Sequence, residues 1–171
     1  MRAAFVLAAL LAMSCQNAPS SDWASVKEWV RSEFPDVEHV SADELKEELE
    51  TAERFKPILL DVRGEDEYAV SHLPGAIRVE PGGEFPPQLK TLDRDAPVVA
   101  YCSVGYRSSQ LVERLEKEGF TNVKNLEGSI FEWANKGYPL EREGKPVEEV
   151  HPYDEEWGRL LDPELRSYVP R

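Results

Sequence analysis

The sequence predicts an α/β protein in which a mostly parallel sheet carries helices on both faces. Three observations predict it. Short apolar runs recur at strand length, the clearest being Pro57-Ile58-Leu59-Leu60-Asp61-Val62 and Pro97-Val98-Val99-Ala100-Tyr101, and a near-continuous apolar strand is one buried on both faces. Helical stretches alternate with these runs, which is the chain order of strand–helix–strand units. The 171 residues suffice for one compact domain with its own core and are too few for two ordinary ones.

Each element follows from local signals. Residues 1–14 begin with Arg2, run apolar from Ala3 to Met13 and end in Ser14 before Cys15, the three parts of an export signal. The run is shorter than the roughly 20 apolar residues a lasting membrane helix needs. Its end, Leu11-Ala12-Met13-Ser14-Cys15, resembles a bacterial lipoprotein signal, which implies lipid attachment at Cys15 and a membrane contact through that anchor alone; Gln16, in place of an Asp retention signal, then points to an outer-membrane position facing the periplasm. The alternatives are a leader cut by ordinary signal peptidase or an N-terminal helix that packs on the domain. Residues 15–21 form a polar spacer. Residues 22–36 place Trp23, Val26, Trp29 and Val30 at helical spacing, a helix that docks on the domain edge. His39-Val40 leads as a short strand into Ser41 and Glu44, a capping box that opens a helix through about Phe55 with Leu45 and Leu49 inward. Strands are expected at 57–62, 76–79, 97–101 and 123–126. Helices are expected at 66–70, at 108–118 closed by Gly119, and at 129–136 closed by Gly137. Pro and Gly make 80–87 a loop. Residues 142–171 form a Pro-punctuated acidic tail whose scattered aromatics suit a strap over the core better than a free partner-binding segment.

Composition narrows the function. Lys and Arg number 20 against 33 Asp and Glu, a formal net charge of -13, which opposes a polyphosphate partner and sets nucleic-acid binding aside. It does not set aside a small anion, because a cradle of backbone N–H groups binds one against the overall sign. There are two cysteines; with Cys15 lipidated, Cys102 has no partner for an intramolecular disulfide. His39 and His151 stand apart with no ligand spacing, so no metal site is expected.

Chemistry concentrates in Cys102-Ser103-Val104-Gly105-Tyr106-Arg107-Ser108, which joins a buried strand to a helix at the edge where open α/β folds place their sites. If this segment curls, its N–H groups converge on the sulfur and the helix N-terminus adds positive potential. Both favour the thiolate, which is the nucleophile. Gly105 permits a positive φ, Arg107 offers a planar cation suited to an oxyanion, and Ser108 is placed to cap the helix or donate a hydrogen bond.

These residues resemble the active-site loop of rhodanese-family sulfurtransferases, which runs from Cys to Arg across six residues, here Cys102 to Arg107. Residues 68–76 (Tyr68 to Ala76, with His72-Leu73-Pro74-Gly75 inside), 126–133 (Leu126 to Trp133) and Asp61-Val62-Arg63 are similar to three further family stretches, in family order. The resemblance covers about residues 37–141 and implies a rhodanese-like three-layer fold with a five-stranded parallel sheet. It implies that the Cys102 thiolate takes sulfane sulfur from a small anionic donor such as thiosulfate and passes it, as a persulfide, to a thiol or cyanide acceptor, and that no organic cofactor is needed. Ser103, Val104, Gly105, Tyr106, Arg107 and Ser108 would hold the substrate, with Tyr106 at the pocket mouth. Asp61 with Arg63, and His72 before its Pro-Gly turn, are read as supports of the loop rather than as catalysts. Two other readings compete: a rhodanese-like binding or sensing module, and a phosphatase or arsenate reductase, whose loops are generally a residue longer. Carriage of the persulfide to a partner protein, docked on the acidic tail, is a third variant of the same chemistry.

Overall fold

The computed structural model describes residues 22–52 and 56–170; the leader, Cys15 and the spacer expected at 1–21 lie outside the described residues. Five parallel strands form the sheet: β1 (His39–Val40), β2 (Ile58–Asp61), β3 (Ile77–Arg78), β4 (Val98–Tyr101) and β5 (Val123–Leu126), in the order β1-β5-β4-β2-β3. All four pairings are parallel. Strand β4 lies at the centre and every one of its residues is buried, which is why its sequence shows no polar alternation.

Helices α1 (Trp23–Glu33), α2 (Ala42–Thr51), α3 (Glu65–Val70), α4 (Pro87–Lys90), α5 (Tyr106–Lys117) and α6 (Ser129–Asn135) complete the layers. Alternate strand residues feed two apolar clusters. Leu59, Val99 and Tyr101 pack with Leu45 of α2 and with Ile130 and Phe131 of α6. Leu60, Val98 and Ala100 pack with Leu111, Val112 and Leu115 of α5 and Leu89 of α4. The period of two along the strands thus divides the core between the faces. Helix α1 bridges them, its Val26 in the first cluster and Val30 in the second.

Local caps act as the sequence indicates. Asp22 accepts the Ser25 N–H at 3.0 Å at the start of α1. Ser41 and Glu44 form both bonds of the capping box, the Glu44 N–H donating to Ser41 Oγ at 3.2 Å and the Ser41 N–H to Glu44 Oε2 at 2.9 Å.

Four details correct the expected elements. Helix α2 ends at Thr51, because Ala52 is extended; residues 53–55 lie outside the described residues. Helix α5 begins at Tyr106, not Ser108, and its N-cap is Gly105, so Ser108 sits inside the first turn and caps nothing. The loop at 80–87 closes into the one-turn helix α4, which starts at Pro87, a residue whose fixed φ suits a helix's first position. The expected boundary at 142 falls inside a hairpin, β6 (Leu140–Arg142) with β7 (Lys145–Val147). Beyond it the chain lies over the core, burying Val150, Leu160 and Leu161. Two short 3₁₀ turns, Trp157–Leu160 and Pro163–Leu165, shape this strap.

Candidate active site

The candidate nucleophile follows the carboxyl end of β4. Cys102 is a free cysteine and only 1% exposed. Its N–H donates to Ser129 Oγ at 3.1 Å, and its carbonyl and that of Ser103 accept the N–H groups of Ile130 and Phe131 at 3.2 Å each. The N-terminus of α6 therefore holds the loop carbonyls outward. The Gly105 N–H turns the other way and donates to Cys102 Sγ at 3.2 Å.

That turn requires glycine. Gly105 has a φ of +116°, and a Cβ there would stand 3.2 Å from Asn125 Nδ2. Beneath it, Asn125 Nδ2 is 3.1 Å from His39 Nδ1, so the loop rests on a polar pair of which Asn125 is buried and His39 half-buried.

Burial acts to raise the Cys102 thiol. The Arg107 charge, Ser108 and the Gly105 N–H outweigh it and hold the thiol below its ordinary range. Ser108 contributes through its backbone N–H and the polarity of its hydroxyl, although that hydroxyl forms no hydrogen bond of good geometry.

Arg107 differs from the sequence expectation. It does not present an uncommitted guanidinium to an oxyanion: Nη1 donates to Glu67 Oε2 and Nη2 to Glu67 Oε1, both at 2.8 Å. Ser103 Oγ accepts from Arg107 Nη2 at 2.9 Å and donates to Glu67 Oε1 at 3.0 Å, so Ser103 serves this pair. Burial would raise the Glu67 carboxyl, but the Arg107 bonds and charge bring it down to about 2. A third group covers the cation: the Tyr153 ring lies 4.8 Å from the guanidinium carbon.

Above the sulfur opens a cleft of about 320 Å³ lined from three parts of the chain. The loop and α5 give Cys102, Ser103, Val104, Tyr106 and Arg107; α1 gives Trp29; the strap gives Tyr153, Asp154, Glu156 and Trp157. Trp29 stacks on both Tyr106 and Trp157, its ring centroid 4.7 Å from the first at an interplanar angle of 11° and 6.0 Å from the second at 22°. Of these wall residues, sequence reasoning had placed only Tyr106 at the mouth. Glu67, Trp29, Tyr153, Trp157 and Ser129 were missed as site residues. The one local signal was for Glu67, three residues after Gly64, whose N–H it accepts at 2.9 Å in the manner of a helix cap.

The supporting residues lie apart from the cleft. Arg63 and Asp61 are fully buried and paired, with Nη2 at 2.7 Å from Asp61 Oδ2 and 2.6 Å from the Ser71 carbonyl; they brace the turn after α3 and reach the cysteine loop through Tyr101 before it, whose ring lies 5.9 Å from the guanidinium carbon. His72 stacks on Tyr68 at 3.9 Å and pairs through its backbone with Glu141, well outside the residues around the sulfur. Among the described residues, no group of three or more His, Cys, Asp or Glu side chains could hold a metal ion.

Comparison with known proteins agrees with this architecture. The Bacillus subtilis (strain 168) protein YtwF, whose description offers sulfurtransferase as its candidate activity, is 33% identical over 104 residues, 61% of this chain and 97% of that one. A sulfurtransferase of Allochromatium vinosum is 32% identical over 104 residues, 61% of this chain and 94% of that one. The crystal structure of a rhodanese-related protein from Thermoplasma volcanium superposes with a TM-score of 0.53 at 29% identity, covering 62% of this chain and 99% of that one. Relatives described as tRNA uridine(34) hydroxylases match too, that of Sodalis glossinidius over 33% of its length. With the family model for the rhodanese-like domain matching residues 41–136, on a five-stranded parallel sheet that carries the cysteine loop at its centre, the chain belongs to the rhodanese-like domain family.

Proposed function

We propose that this protein is a sulfurtransferase that moves sulfane sulfur from a donor, thiosulfate or a similar compound, to a thiol or cyanide acceptor through a persulfide on Cys102. The observation that supports it best is the Cys102 sulfur at the floor of an open cleft, facing the Gly105 N–H at 3.2 Å. Such a sulfur is a nucleophile with a ready donor for the negative charge it carries.

In the first half-reaction the Cys102 thiolate attacks the outer sulfur of the donor. The Cys102 S–S bond forms, the donor's own bond to that sulfur breaks, and the electron pair leaves with sulfite or with the carrier's thiolate. The Gly105 N–H and the N-terminus of α5 then face the terminal persulfide sulfur, where they stabilise its charge. In the second half-reaction an acceptor thiolate or cyanide attacks that terminal sulfur and Cys102 leaves as thiolate. Both steps use groups of this chain and of its substrates alone.

The test is intact mass before and after exposure to a sulfane donor, either thiosulfate or an alkyl persulfide. A gain of about 32 Da, one sulfur atom, on the wild type and not on Cys102→Ser is the expected result. No gain with any such donor would overturn the proposal and leave a binding or sensing module on the same fold. The net charge of -13 sets the chain against a polyanionic substrate, so the hydroxylase activity in some relatives' names is not carried over. For its cellular place we propose export with lipid attachment at Cys15, resting on residues 1–15; retention in the membrane fraction by the wild type and release by Cys15→Ala is the expected outcome.

A further inference from the structure

We infer that, among the sulfane donors of this site, organic persulfides on neutral or cationic carriers are selected over inorganic dianions such as thiosulfate, and that Asp154 and Glu156 of the strap make the choice. The inference rests on the persulfide reading above and adds the class of substrate.

The first support is the state of the one cation. Among the described residues lining the cleft, Arg107 is the only Lys or Arg. Both its terminal nitrogens are held by Glu67 at 2.8 Å, one also by Ser103, and its face is covered by Tyr153. A dianion entering the cleft meets a guanidinium whose charge is already matched by a carboxylate.

The second support is the rim. Asp154 and Glu156 are exposed at the mouth, and Asp154 is held in place by the Trp157 N–H, which donates to Oδ1 at 2.8 Å. These put two carboxylates at the entrance, above the Cys102 sulfur on the floor, against the neutral Glu67–Arg107 pair. The third support is the wall. The stack of Tyr106, Trp29 and Trp157 gives apolar edge and surface, which an organic carrier covers on binding and a hydrated inorganic anion does not.

The chemistry balances without any further reactant. Cys102–S⁻ and R–S–SH give Cys102–S–S⁻ and R–SH: the new S–S bond forms at the outer sulfur, the R–S to S bond breaks, and the proton ends on the departing thiol. No net oxidation or reduction takes place.

The experiment compares donors of equal length and opposite charge, cysteamine persulfide and 3-mercaptopropionate persulfide, with thiosulfate alongside, by the rate at which full-length protein gains sulfur on Cys102. Wild type is expected to load faster from the cysteamine compound. Asp154→Asn with Glu156→Gln, in which the Asn retains the acceptor for the Trp157 N–H, is expected to speed loading from thiosulfate and the mercaptopropionate compound by about five- to tenfold at low ionic strength, as removal of two exposed charges allows. The same variant slows loading from the cysteamine compound. Equal wild-type rates from the two charged carriers, or rates that the double variant leaves unchanged, would overturn the donor assignment while leaving the persulfide chemistry intact. Failure of Cys102 to take sulfur from all three would overturn both.

Discussion

At Cys102 a buried thiol is held below its ordinary range by groups within six residues of it in the chain. The loop spacing alone made this readable, since Gly105, Arg107 and Ser108 belong to one turn and one helix start. Two predictions belong to single residues. Because the thiol is held below its ordinary range, alkylation of Cys102 by iodoacetamide is expected to reach half its maximal rate below the pH of about 8.5 typical of a free cysteine. Arg107→Gln removes the largest favourable influence and moves that midpoint up. A midpoint unmoved by the substitution would show that the cation does not act on the sulfur. Gly105→Ala forces a side chain onto a φ of +116° and to 3.2 Å from Asn125 Nδ2. It is expected to cost about 1–3 kcal/mol of stability in urea unfolding, and to reduce persulfide formation more than the stability loss explains, since it moves the N–H that faces the sulfur.

At the scale of elements, the site depends on segments outside the loop. Helix α1 and the strap close the cleft from either side, and Trp29 is the piece they share with Tyr106. Trp29→Ala is expected to cost about 2 kcal/mol, the value of a half-buried ring with two stacking partners, and to weaken substrate binding, read as a rise in KM at near-constant kcat. Deletion of residues 148–171 exposes the contacts of Val150, Leu160 and Leu161, all at most 6% exposed. At about 1.5–3 kcal/mol for each such side chain the loss is about 5–9 kcal/mol, enough to lower the melting temperature of a domain this size by more than ten degrees. An unchanged melting temperature would mean that the strap is a separable tail. A tail serving only as a docking surface for a partner does not fit a strap whose Tyr153 and Trp157 line the cleft.

For the whole molecule, the Glu67–Arg107 pair ties α3 to α5 across 40 residues of sequence. The Glu67 carboxyl stands at about 2 in the folded protein and near 4.3 in an unfolded chain. A depressed folded value means stability that is fully present above the unfolded value and lost as pH falls through the folded one. Urea midpoints are therefore expected to drop between about pH 5 and pH 2, with a contribution from this pair of order 3 kcal/mol, and Glu67→Gln is expected to flatten that dependence. The sequence by itself determined the parallel α/β fold, the capping box at Ser41 and Glu44, the glycine-permitted turn and the cysteine at its start. Each of these is written in the spacing of near neighbours, where helix and strand periods and turn chemistry act. Only the tertiary structure decided that Arg107 is matched by Glu67, that Asp61 and Arg63 brace the turn after α3, and that Trp29, Tyr153 and Trp157 build the cleft. Those contacts join segments that have no local reason to meet, and they come together only because the sheet order sets α1, α5 and the strap around the carboxyl end of β4.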